Sequence, residues 1–223
     1  MDELSLIGRI VVWSLPVVLA ITGHEVAHGW MAKKFGDKTA DQQGRLTLNP
    51  LKHIDLFGTL ILPSILLITG TGFIFGWAKP VPVDARNFKN PKKAMMMVAL
   101  AGPVANLCMA TIWALIGRIG VAFYQIAFIY EPFVQWSRAG ITINLVLAFV
   151  NLLPIPPLDG SRVIAGLLPD YWAWQYNRLE RYGLFLLLAL FVGESMGYFS
   201  IISSILNYPM YYAQQLFFSL AGR

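Results

Sequence analysis

Charge is scarce in this chain. Of 223 residues only 13% are Asp, Glu, Lys or Arg, whereas 57% are hydrophobic. A water-soluble domain usually carries about 25% charged residues, so that class is excluded and an integral membrane protein is expected. Cysteine occurs once, as Cys108 within an apolar run, which leaves no disulfide framework and no thiolate metal cluster. Low-complexity tracts, repeats and long polar linkers are missing as well. Residues 1–223 therefore read as a single integral membrane domain. Asp2 and Glu3 precede the first apolar stretch and the only early cation is Arg9, so a cleaved signal peptide is not expected. The net charge of +5 comes from Lys and Arg gathered beside apolar segments. That pattern marks membrane topology rather than a nucleic-acid partner.

Histidine is rare too, and two of the three histidines stand together in Gly23-His24-Glu25-Val26-Ala27-His28. Residues four apart share one face of a helix, so His24 and His28 can share a metal ion with Glu25 beside it. A zinc hydrolase needs this spacing: the metal lowers the pKa of a water to about 7 and the glutamate takes its proton. Ionisable groups are expensive in a membrane segment, which makes a chance match to the pattern a poor explanation.

Leu4 to about Phe35 reads as one membrane helix, with Pro16 as a kink and Lys33-Lys34 as an anchor. Gly44 to Pro50 alternates as a short extended piece, and Lys79-Pro80-Val81-Pro82-Val83-Asp84 is confined to an edge strand or loop by its prolines. The two are expected to form a small β edge at the membrane surface. Leu56 to Ala78 is uncharged, yet both its flanks are basic. A re-entrant segment keeps both flanks on one side, as the charge rule requires. Ala94 to Gly117 and Ile141 to Leu153 are expected to span, with Arg118 to Arg138 at the opposite face between them. Tyr182 to about Leu206 reads as a further span despite Glu194. Asn207 to Arg223 reads as a tail that lies in the interface or returns into it.

A catalytic zinc usually takes three protein ligands. Asp159 is the best candidate for the third, since it follows the Pro-rich stretch Asn151-Leu152-Leu153-Pro154-Ile155-Pro156-Pro157-Leu158, and Gly160 after it permits a sharp turn; an ordinary Asp-Gly turn is the alternative. If Leu56 to Ala78 does not span, the helix bearing His28 and the one leading to Asp159 run parallel, and their ends meet. Asn151 either donates to the oxyanion of the reacting carbonyl or bonds a neighbouring helix. Asn106 carries the same choice, with packing favoured. His53 reads as a solvated loop histidine or as a further metal or substrate contact.

HEVAH on the first helix, Ala101-Gly102-Pro103-Val104-Ala105-Asn106 on a middle one and the late Asn151 to Gly160 stretch together resemble the site-2 protease family of intramembrane zinc metalloproteases. The resemblance runs from about Leu4 to Leu168 and is to the small prokaryotic group without PDZ or CBS domains. It implies an all-α polytopic membrane protein with a three-helix catalytic core at about 4–168; beyond that no motif matches, and C-terminal membrane helices at about 178–223 are expected from the apolar pattern alone. One zinc ion per chain is implied, held by His24, His28 and Asp159, with Glu25 as base and Asn151 near the scissile carbonyl. The implied activity is regulated intramembrane proteolysis, acting on a transmembrane segment of another membrane protein in the bilayer. The small size points to a prokaryotic plasma membrane, and the site is expected near the basic face, towards the cytoplasm. Two rival functions use similar residues: an intramembrane metal transporter or channel, and an inactive relative that binds membrane helices.

Overall fold

The computed structural model describes residues 5–69 and 76–222. Helix α1 is Leu6–Lys34, and the Ser5 hydroxyl at its N-cap accepts the Gly8 amide at 3.1 Å. After a turn come α2 (Thr39–Gln42), a 3-10 turn (Pro50–Lys52), a π-helical turn (Leu56–Ile61) and α3 (Leu62–Thr69). The long helices α4 (Pro91–Ala122) and α5 (Ala127–Asn151) follow, then α6 (Asp159–Leu167), α7 (Asp170–Asn177), α8 (Glu180–Ser195) and α9 (Ile201–Leu220). Among the described residues three helices, α1, α4 and α5, are long and apolar enough to cross a membrane.

Contacts along these helices fix their directions. His24 of α1 meets Asn106 of α4 while His28 meets Val98, so α4 runs antiparallel to α1. Trp113 lies against Gly140 and Gly120 against Phe133, so α5 runs antiparallel to α4 and parallel to α1. Close approach depends on small residues: Ala99, Ala101, Gly102, Ala110, Ala114, Gly117 and Gly120 are all buried on α4. Where lipid is as apolar as any side chain, such tight contact drives helix association. The main core joins Ala110, Trp113 and Ala114 to Ile141 and Leu145, and α9 closes it with Phe217, Phe218 and Ala221.

Because α1 ends where α4 begins, the chain between them starts and finishes at the same end of the bundle. It makes no net crossing, in line with the charge pattern of its flanks. The helical part, 56–69, rises only about 20 Å against the about 30 Å hydrocarbon core. Residues 70–75 of the expected re-entrant segment lie outside the described residues.

Three expectations change. No strand occurs among the described residues: Gly44 to Pro50 is bends and turns, and 76–84 is extended without a ladder. The two pieces are joined instead by a side chain, with Arg45 donating to the Lys79 carbonyl at 2.8 Å. Pro80 and Pro82 lack the amides a ladder would use. Arg118 to Arg138 is not a surface stretch, since α4 runs on to Ala122 and α5 already begins at Ala127. Tyr182 to Leu206 is two helices rather than one span, broken at Gly197 with φ +77°. Glu194 explains the break. Its carboxylate accepts the Ile202 and Ser203 amides at 2.8 and 2.7 Å and so satisfies the open N-terminus of α9.

Candidate metal centre

Helical spacing puts both histidines of HEVAH on the face of α1 that packs against α4. His24 is 7% exposed, and its ring meets that of His28 edge to face. Asp159, the first residue of α6, reaches the same point: its Oδ2 stands 3.2 Å from Nε2 of each histidine, and the two Nε2 atoms are 3.0 Å apart. The structure thus brings together His24, His28 and Asp159, as the parallel run of α1 and α5 requires.

The hydrogen bonds on the far side of each ring decide what these atoms offer one another. Nδ1 of His28 is 2.7 Å from the Val98 carbonyl, which can only accept, so Nδ1 carries the proton. Nδ1 of His24 is 2.6 Å from Asn106 Oδ1, and the Asn106 amide nitrogen donates to the Ala20 carbonyl and to Asn144 Oδ1. His24 therefore also protonates at Nδ1. In their neutral forms both rings aim Nε2 lone pairs at a carboxylate oxygen, and that oxygen is buried without a hydrogen-bond partner. Three lone pairs converging on one point form a set that can hold a cation. Ligand atoms at tetrahedral corners, with bonds of about 2.0–2.1 Å, would be about 3.3 Å apart, so the spacing suits zinc. Two imidazoles and one carboxylate also form a donor set typical of a catalytic zinc.

Glycines make the approach possible. A Cβ on Gly102 would come 2.5 Å from His28 Nε2 and from His24 Cε1, so the Ala101-Gly102-Pro103 stretch lets α4 lie directly beneath the rings. A Cβ on Gly160 would come 2.2 Å from the Leu152 carbonyl oxygen. Gly160 thus serves a close approach of α6 to the end of α5, not the sharp turn expected of it, and Asp159 sits in the first turn of a helix. Lys92 ties down that region from α4, donating to the Leu168 carbonyl and to Asp170 at 2.7 Å.

Glu25 accepts the Val81 amide on Oε2 at 2.8 Å, which sets the extended piece 76–84 along the site. The far end of that piece is held by Asp37, which is fully buried. Its carboxylate accepts the Asp84 amide at 2.8 Å, the Asn87 side-chain amide at 2.7 Å, and both the amide and the hydroxyl of Thr39. Burial opposes the charge, but these four donors outweigh it and hold the carboxyl below its usual range. Sequence reading missed Asp37, and also Asn144, an amide within an apolar span that was itself a signal.

Three further candidates make hydrogen bonds of their own. Asn151, the last residue of α5, donates to the Leu147 carbonyl of its own helix at 2.9 Å, with no bond to the histidines or Asp159. Asn106 proves to be the partner that orients His24, not a packing residue. His53 is no solvated loop histidine: it is 2% exposed, and its Nε2 is 2.9 Å from the Thr47 carbonyl.

Fold and site together define a polytopic helical membrane protein with a buried His-His-Asp centre and a glutamate beside it. Its relatives carry matching names. The chain is 43% identical to "Putative zinc metalloprotease YwhC" of Bacillus subtilis over 80% of its own length and 78% of that protein's. It is 32% identical to "Putative zinc metalloprotease Rip2" of Mycolicibacterium smegmatis, over 70% of this chain and 57% of that one, and 32% identical to "Putative zinc metalloprotease MJ0611" of Methanocaldococcus jannaschii, over 67% and 66%. No family model and no solved structure matches. The chain belongs to the family of these small prokaryotic zinc metalloproteases, the site-2 protease family.

Proposed function

We propose that this protein is an intramembrane zinc endopeptidase of the site-2 type, which hydrolyses peptide bonds within or near transmembrane segments of other membrane proteins. The observation that carries this reading is the meeting of His24 Nε2, His28 Nε2 and Asp159 Oδ2 within 3.2 Å of one another, with Glu25 on the helix of the two histidines. His24, His28 and Asp159 would hold one zinc ion per chain. When bound, zinc supplies the Lewis acidity that brings the pKa of a water down to about 7.

The chain's own residues do the rest. Glu25 Oε2 is occupied by the Val81 amide, which leaves Oε1 to take a proton from the attacking water. As the water oxygen bonds to the substrate carbonyl carbon, that proton passes to Glu25 and then to the departing amide nitrogen as the C–N bond breaks. Asn151 spends one amide hydrogen on Leu147 and offers its second to the carbonyl oxygen. A substrate helix must unwind to expose its carbonyl, and the unwound segment would run along the extended piece 79–84. Helix-weakening residues near the cut should therefore speed cleavage.

Position along the helix supports water access. His28 is six residues before Lys34, so about 9 Å of helix separates it from the basic end of the bundle. That end also carries Lys92 and Lys93, and the positive-inside rule makes it cytoplasmic. The test is co-expression with a panel of single-span reporters. Products should form with the wild type and disappear with Glu25→Gln or a zinc chelator. Products that persist with Glu25→Gln would refute the mechanism, and bound zinc without any product would favour transport or binding instead.

A further inference from the structure

Arg45 is a cation out of place. It is only 7% exposed, yet no carboxylate among the described residues lies within ion-pair distance, and its Nε has no partner. Burying a guanidinium unpaired is costly, so the fold must gain something from its position. Its terminal nitrogen donates to two successive backbone carbonyls, Lys79 at 2.8 Å and Pro80 at 3.3 Å.

The second carbonyl is the informative one. Pro80 C=O and Val81 N–H belong to one peptide group, which is planar and trans. Arg45 is bonded at its oxygen, and Glu25 Oε2 is bonded at its N–H, 2.8 Å away. A peptide unit carries a dipole of about 3.5 D, negative at the oxygen and positive at the hydrogen. A cation at one end and an anion at the other are thus both placed favourably, and each strengthens the other's hydrogen bond. Pro82 biases Val81, the residue before it, to extended backbone, which narrows the conformations open to this stretch.

We propose that Arg45 is a positioning residue for catalysis, holding the Pro80–Val81 peptide so that its amide fixes the Glu25 carboxylate beside the metal centre. This rests on the reading of Glu25 as the base. Arg45 bonds the Lys79 and Pro80 carbonyls and none of His24, His28 and Asp159, so it acts through that peptide.

The test uses the full-length protein in detergent with a cleavable single-span reporter. Arg45→Gln should lower kcat by roughly tenfold or more, since small misplacement of a catalytic group is costly, with KM within about twofold and zinc content unchanged. Arg45→Lys, which can still donate to one carbonyl, should recover part of the rate. Amide exchange over residues 76–84 supplies a readout independent of turnover: the Val81 amide should lose protection in both Arg45→Gln and Glu25→Ala. Unchanged kcat, a loss of zinc, or a Val81 amide that keeps its protection in Arg45→Gln would overturn the proposal. Absence of cleavage by the wild type would instead defeat the protease reading, and the exchange result would still decide whether Arg45 and Glu25 are linked.

Discussion

Asn106 Oδ1 lies 2.6 Å from His24 Nδ1, so a residue of α4 decides which nitrogen of an α1 histidine faces Asp159. Asn106 is itself fixed by Asn144 of α5, whose own amide donates to the Gly140 carbonyl at 2.8 Å. All three long helices thus share in orienting one ring. Asn106→Leu keeps roughly the same volume and removes the acceptor. Zinc affinity should fall by about 10–100-fold while helical content is retained. Competition with a chromophoric chelator, beside circular dichroism, measures both.

Gly102 gives a sharper steric case. Gly102→Ala would set a methyl group 2.5 Å from His28 Nε2, and the ring can relieve that only by leaving the cluster. The variant should lose bound zinc and all cleavage. Elemental analysis of the purified membrane protein checks the first, and a reporter assay the second.

Asp37 makes the fold sensitive to acid. Its folded pKa is depressed, so between the folded and unfolded values the unfolded chain binds more protons than the native one. The stability it contributes is complete above the unfolded value near pH 4 and is lost as pH falls through the lower folded value. Melting temperatures taken from pH 7 down to pH 3 should fall along this limb, and the limb should flatten in Asp37→Asn. At neutral pH Asp37→Ala should cost about 3 kcal/mol, through loss of hydrogen bonds to a charged acceptor.

Glu194 should affect stability and nothing else. Glu194→Ala opens two amides at the start of α9 and should cost about 1 kcal/mol, the usual cost of a lost helix cap. Thermal unfolding reads the loss. Zinc content should not move.

What could be read in the sequence depended on how local the cause was. The His24–His28 spacing is a property of one helix, so its shared face follows from the helical period alone. Asp159 was legible as a candidate because it follows a proline-rich stretch at the end of an apolar helix and precedes Gly160, although an Asp-Gly turn would read the same way. The parallel run of α1 and α5 was legible through the basic flanks of 56–78. Arg45 and Glu194 were not, because composition alone cannot separate a buried clamp from a basic flank, or a helix cap from a charge within a span. The Val81 amide was hidden for another reason: a backbone donor carries no side-chain signal. The expected β edge failed because alternation at 46–48 makes a strand only where a partner supplies ladder bonds, and the partner here is proline-rich.

The most direct measurement is to incubate purified protein with one single-span reporter in detergent and to identify the products by mass spectrometry, for the wild type, Glu25→Gln and zinc-stripped protein. The expected result is a cut inside or next to the apolar segment, made by the wild type, absent in Glu25→Gln, and restored to the stripped protein by zinc. A cut that survives both Glu25→Gln and zinc removal would contradict the account.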